Sequence, residues 1–388
     1  MKESELSRRQ ARLQWFGDAV EQTLSREVKR RFEAPELEGE PAVNTWYRIP
    51  IEEGMAGDGS EYHIYMKIGT TEHLCVFLSG GGVAWNEYTA ARPVTGGAMA
   101  AGLPNYYWSN LRPMTQIMNI NTGITELDNP DNPCSDWNFI VITYATGDFH
   151  IGDNEFRYTG EDGEEKILHF HGYRNFQAAM QKARLYFPEP DKLLIAGDSA
   201  GGFAVPAVTT AILEDFYPEC TDVTLLSDSA QLLYRRWRGT AKNVWKAPEA
   251  LWQSIHSSNI TVDWYRDLHR IWGDRLRYLY ACSTRDYLLS AYYNDVLSHR
   301  YASDPLVQRK FYHQMQLMLQ QLKQITPEFG FFVYKWPSLR MPIGGTVHTA
   351  VRHKRFYFQT PSGITMAKWL GDALEGKVYD VNMDLMRT

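Results

Sequence analysis

Cysteine is scarce in this sequence, with four among 388 residues, at positions 75, 134, 220 and 282. So few and so scattered, they exclude a disulfide framework, and without a CxxC pair they exclude a metal knuckle. Cys75 and Cys282 lie in apolar, strand-like runs and read as buried thiols. A single bridge, Cys134 to Cys220 for instance, stays open. Long apolar runs are also missing: no window reaches the roughly 18 residues of a membrane span. The first 34 residues contain no apolar core and no cleavage site, and read as a charged amphipathic helix rather than a signal peptide. The expectation is a soluble, cytoplasmic protein. Net charge is −6, with Lys and Arg spread along the chain, so the basic stripe of a nucleic-acid binder is absent. Repeats and low-complexity tracts are absent too.

Aromatic residues are plentiful: 12 Trp, 23 Tyr and 17 Phe. They suit a large core, or a pocket lined by flat apolar faces with a polar edge. With 44% hydrophobic and 22% charged residues the chain can build one sizeable domain. Residues 1–40 are assigned to the N-terminal helix and 41–388 to a single α/β domain. TWYRIPI (45–51) and EYHIYMKIG (61–69) read as an antiparallel hairpin. Short, continuous apolar runs follow at 74–80, 139–145, 192–198, 223–229, 277–284 and 330–336, as expected for strands buried on both faces. Helical patterns at 169–187, 200–216, 304–325 and 363–374 alternate with them, which predicts a doubly wound, mostly parallel sheet. Two stretches break the alternation. Residues 83–136 are loop-like, and 231–276 carry Trp237, Trp245, Trp252, Trp264 and Trp272 on weakly helical segments. Both leave the C-terminal ends of strands, where open α/β sheets bind ligands, and read as the walls and lid of a site.

In LLIAGDSAGGFAV a buried strand runs into Gly197-Asp198-Ser199-Ala200-Gly201-Gly202 and a helix follows at once. This is G-x-S-x-G in its meaningful context, a tight turn that pushes a serine hydroxyl out over the sheet edge. Ser199 is the expected nucleophile. A base and an orienting carboxylate should follow on later loops, in the order Ser, acid, His. After the last strand come His348, in the small-residue loop GGTVHTA, and His353, in a basic VRHKR run that reads as a solvated face. His348 is the expected base. Asp286 ends the penultimate strand and is preferred as the acid over Asp228, which ends the strand after the elbow and is expected to shape the pocket. The oxyanion donors should be backbone N–H groups. Ala200 supplies one, and Gly82 or Val83, in the Gly80-Gly81-Gly82 loop, supplies the other.

These segments, SGGGVAWN, DWNFIVITYATGDFHIGDN, HFHGYRNFQAAM, AGDSAGG, YACSTRD and GGTVHTA in that order, resemble the pectin acetylesterase / Notum family of carboxylesterases over about residues 70–350. The most specific piece is YATGDFHIGD. The resemblance implies an α/β-hydrolase fold, deacylation of oxygen esters, no metal and no cofactor. It puts the family's Ser, Asp and His on Ser199, Asp286 and His348, and makes the 146–153 loop, with Asp148 and His150, a pocket wall beside Trp85. Two features depart from the family. Val83 follows the three glycines where a Trp is usual, with Trp85 two residues on, and the secretion and disulfides common in the family are not expected here. The favoured substrate is a short acyl ester, such as an acetylated sugar, with no nucleic-acid or membrane partner expected.

Three rivals stand beside this reading. Hormone-sensitive-lipase-like esterases share GDSAGG but carry HGGG, where this chain has Ser79. A metal-dependent hydrolase would use Asp148, His150 and Asp153, or His169 and His171. The latter pair is placed at a helix start, where i and i+2 do not share a face. A catalytically silent binding protein on the same fold is the third.

Overall fold

Runs rich in Val, Ile, Leu and Phe form the central strands, with Leu74–Leu78 buried along its whole length. The computed structural model describes residues 8–111, 119–338 and 344–387. Its strands are β1 (Trp46–Ile51), β2 (Tyr62–Lys67), β3 (Leu74–Leu78), β4 (Asn138–Ile142), β5 (Asn154–Thr159), β6 (Glu165–Phe170), β7 (Lys192–Asp198), β8 (Asp222–Asp228), β9 (Leu276–Ser283) and β10 (Gly330–Tyr334). The main sheet runs β1-β2-β4-β3-β7-β8-β9-β10. Strand β2 is antiparallel to both of its neighbours, and from β4 to β10 all pairings are parallel. Strands β5 and β6 form a separate two-stranded hairpin.

Side chains alternate across the sheet, so β3 sends Leu74, Val76 and Leu78 into one core and Cys75 and Phe77 into the other. The first core is covered by the helices Gly172–Tyr186, Ala200–Ala211, Ile260–Trp272 and Pro305–Ile325. The second lies beneath the helix Met366–Leu374 and irregular chain around Ile120, Ile124 and Phe356. The chain is thus an α/β protein with a mostly parallel central sheet.

Several elements differ from the sequence reading. His169 and Phe170 belong to β6 rather than to a helix start; the helix begins at Gly172. The pattern over 200–216 is one helix only to Ala211 and then widens into a π-turn, Ile212–Phe216. Pro206 sits inside that helix and has no N–H to offer Gly202, whose carbonyl instead accepts from the Ser227 hydroxyl at 2.6 Å. The segment 231–276 contains a well-formed helix, Ile260–Trp272, and another, Tyr287–Ser298, starts after Asp286. All four cysteines are free, so no Cys134–Cys220 bridge forms.

The N-terminal helix Arg8–Phe32 is docked, not detached. Gly17 packs so closely on the short helix Gly96–Ala101 that a Cβ there would lie 2.4 Å from the Gly96 carbonyl oxygen. Asp18 and Glu21 accept hydrogen bonds from Gly97 N and Gly96 N, the open first turn of that short helix. The remainder of the 1–40 assignment, residues 1–7, lies outside the described residues, as does 112–118 of the 83–136 loop.

Candidate active site

Ser199 lies where β7 turns into the helix Ala200–Ala211, at φ 52° and ψ −122°. A non-glycine residue holds such a backbone only where its surroundings impose it. Here the imposition is steric. A Cβ on Gly201 would meet the Leu78 carbonyl oxygen at 1.9 Å, and one on Gly197 would meet Gly201 backbone at 2.5 Å. The glycines of G-x-S-x-G are therefore required by close approach of three chain segments, and the serine side chain is turned out of them.

Asp286 and His348 come together. The Asp286 carboxylate caps the helix Tyr287–Ser298, one oxygen accepting from Leu288 N and Leu289 N at 2.9 Å each. Its other oxygen takes a 2.6 Å hydrogen bond from His348 Nδ1. The strand-end and the histidine loop are also stitched together: Arg285 N donates to the Thr346 hydroxyl, Thr346 N to Arg285 O and Tyr287 N to Thr346 O. Burial alone would lower the His348 pKa, but the Asp286 charge and hydrogen bond, helped by Asp228 and Asp198, outweigh it and leave the pKa raised. The ring's Nε2 is buried and makes no hydrogen bond. His353 is exposed and caps the short turn that follows it, in keeping with a solvated face.

Asp228 belongs to the scaffold. It is fully buried, and its carboxylate accepts from Ala350 N (2.6 Å), Val351 N (2.9 Å), the Tyr334 hydroxyl (3.0 Å) and the Ser229 hydroxyl (3.0 Å). Its own backbone carbonyl receives Ser199 N at 2.8 Å. One residue therefore anchors both the elbow and the histidine loop. Burial raises its pKa against the pull of those donors.

A second anchor escaped the sequence reading. Asp198 and Arg352 form a buried ion pair at 2.9 Å. Asp198 also accepts from Gly80 N at 2.9 Å, and Arg352 reaches Asn119 Oδ1 at 2.6 Å, which in turn accepts from the Ser79 hydroxyl. The triple-glycine loop, the elbow and the histidine loop are thus tied through two charged side chains. The available sequence signal was an Asp beside the elbow serine and an Arg four residues after His348.

The glycine loop requires one correction. Val83 N donates to the Tyr106 carbonyl at 2.8 Å, so it cannot serve as an oxyanion donor. Gly82, at φ 84°, is held so near Tyr106 that a Cβ would fall 1.9 Å from the same carbonyl oxygen, and Ala200 opens the helix after Ser199.

The expected pocket wall is also mostly internal. Trp85 is 3% exposed and packs edge-on against Tyr106 and Tyr292, inside the first core. Asp148 is fully buried and accepts from the Thr146 hydroxyl, His150 N and Gly172 N, while burial raises its carboxyl to about 6. His150 Nε2 is 2.9 Å from the Ser79 carbonyl, and burial lowers the ring to about 4. Phe149, between them, stacks on Phe203 of the elbow helix at 4.2 Å and touches Trp237 and Trp245. The loop braces the glycine loop and elbow from behind. It is no metal cage either, because Asp153 is committed to an ion pair with Arg174 and the Asp148 oxygens to O–H and N–H donors.

The structure thus joins a mostly parallel sheet, a serine at positive φ between strand and helix, and a hydrogen-bonded Asp–His pair on later loops. The family model described as Pectinacetylesterase matches residues 52–239, a stretch that holds the glycine loop, the 146–153 loop and Ser199 and ends before Asp286 and His348. No curated protein matches the chain in sequence. Among solved structures the chain is similar to the Wnt deacylase Notum from Drosophila, at 14% identity and a TM-score of 0.57, covering 86% of this chain and 95% of that one. The resemblance read from the motifs stands, and the chain is a carboxylic ester hydrolase.

Proposed function

We propose that the protein hydrolyses short acyl oxygen esters by two-step acyl transfer through Ser199. His348 takes the serine proton as the hydroxyl attacks the ester carbonyl, and Asp286 holds the imidazole in the tautomer whose Nε2 can accept it. The N–H groups of Ala200 and Gly82 stabilise the developing oxyanion. His348 then protonates the leaving alcohol, and water repeats the sequence on the acyl-enzyme.

The observation that carries this reading is the 2.6 Å bond from His348 Nδ1 to Asp286, with Nε2 left uncommitted on a loop anchored at Asp198 and Asp228, the residues that flank the elbow in sequence and hydrogen bonding. An acetylated sugar is the favoured substrate, supported by the pectinacetylesterase match. Kinetics on p-nitrophenyl esters of rising chain length, then on acetylated oligosaccharides, test both parts. The expected result is the highest kcat/KM at acetate, with acetate released from the sugars; a preference for long acyl chains would replace the substrate assignment.

A further inference from the structure

The β5–β6 hairpin carries a cluster that ester hydrolysis does not use. Glu155 and His169 are direct cross-strand partners, so their side chains leave the same face, and His171 follows two residues after His169. The sequence objection to HFH assumed helical spacing; at a strand end, i and i+2 share a side. One donor atom from each of the three residues lies within 4.8 Å of the other two, and they are the one such group among the described residues. The two rings meet edge to face with centroids 5.5 Å apart. Nδ1 of His169 and Nδ1 of His171 are both buried without a hydrogen-bond partner, and His171 is only 6% exposed. Glu155 Oε1 stands 3.7 Å from His169 Nδ1, beyond hydrogen-bond range. Buried polar atoms are rarely left this way without a ligand, ion or water to answer them.

We propose that Glu155, His169 and His171 bind a divalent transition cation, Zn²⁺ foremost, with water completing the coordination. Two imidazoles and a carboxylate suit Zn²⁺, Co²⁺, Ni²⁺ or Cu²⁺ better than the all-oxygen demands of Mg²⁺ or Ca²⁺. Tetrahedral Zn²⁺ with bonds of about 2.0–2.1 Å needs donors roughly 3.3 Å apart. Rotation of the exposed Glu155 side chain closes much of the present spread at little cost. Arg174, the nearby cation, is neutralised by its ion pair with Asp153. The cluster shares no residue with Ser199, Asp286 or His348. Its metal would staple the hairpin to the start of the helix Gly172–Tyr186 rather than take part in hydrolysis.

The test is calorimetric titration of ZnCl₂ into the full chain, stripped with chelator and dialysed, in a buffer without metal affinity. One equivalent should bind per chain. His169→Ala and His171→Ala should each weaken binding at least about tenfold, Glu155→Ala should do so at an exposed position that leaves folding intact, and Ser199→Ala should bind like the wild type. Melting curves without metal confirm that the variants are folded, and if a histidine variant is not, Glu155→Ala decides. No saturable site in the wild type, or wild-type affinity in folded variants of this cluster, would overturn the proposal.

Discussion

Ser199 could be picked out from sequence because the glycines around it have a steric cause. The close approaches at Gly197 and Gly201 leave no space for a Cβ, so the motif reports geometry. Ser199→Ala should remove hydrolysis, by about 10⁴ to 10⁶ in turnover, while circular dichroism and melting temperature stay near wild type. Asp286 and Asp228 were harder to separate, since Asp228 ends a parallel strand, Asp286 follows the end of the next one, and both are buried. The structure distinguishes them by partner: Asp286 touches the imidazole, whereas Asp228 holds the backbone beyond it and the Tyr334 and Ser229 hydroxyls. Asp286→Asn should cost about 10⁴ in kcat. Asp228→Asn sets an amide N–H against backbone donors, so its main effect should be a loss of about 1–3 kcal/mol in denaturant unfolding, with a much smaller loss of kcat. The raised His348 pKa fixes a sign as well. The base works when neutral, so kcat/KM should be low in acid and rise with pH, with its midpoint above the ordinary imidazole value of about 6.5. A rise centred below 6 in the pH profile would mean another group limits the reaction.

At the scale of elements, the continuous apolar strands of the sheet were legible and the β5–β6 hairpin was not. Strand β5 alternates partly buried and exposed residues, and the charged turn after it lacks the continuous apolar character that marks the sheet. HFH looked helical because a helix begins directly after it, at Gly172. The tryptophan-rich segment read as a lid from sequence, but which of its rings are packed inside depends on tertiary partners, the Ala84 carbonyl under Trp245 lying 161 residues away. Trp237, Trp245 and Trp264 are buried, each with its indole N–H on a backbone carbonyl, at Leu232, Ala84 and Leu251. Trp245 thereby holds the chain just past the glycine loop. Trp245→Phe loses that bond and leaves the Ala84 carbonyl unmatched, so it should lower stability by about 1–3 kcal/mol. It should also shift kcat/KM for p-nitrophenyl acetate and for a bulky ester in parallel, since the ring is packed in the core. Selective loss of the bulky ester would instead make Trp245 a pocket residue.

Over the whole molecule, four loops from distant parts of the chain converge at the C-terminal ends of β3, β7, β9 and β10, and buried charges hold them there. The Asp198–Arg352 pair was illegible because its partners lie 154 residues apart and nothing local pairs them. Arg352→Met leaves the Asp198 charge buried and unpaired, a change worth about 3–5 kcal/mol when one partner of such a pair is removed, and should lower the melting temperature and the turnover together. Chelation should leave hydrolysis unchanged, because the proposed metal cluster and the Ser199 site share no ligand. The central claim is that the acyl group passes through Ser199. Its most direct test is stoichiometric labelling with a fluorophosphonate, followed by peptide mass mapping and residual-activity assay on the same sample. The account expects one adduct per chain on the peptide bearing Ser199, activity lost in proportion, and no adduct in Ser199→Ala. A fully labelled enzyme that still hydrolyses esters, or an adduct carried elsewhere as activity disappears, would contradict it.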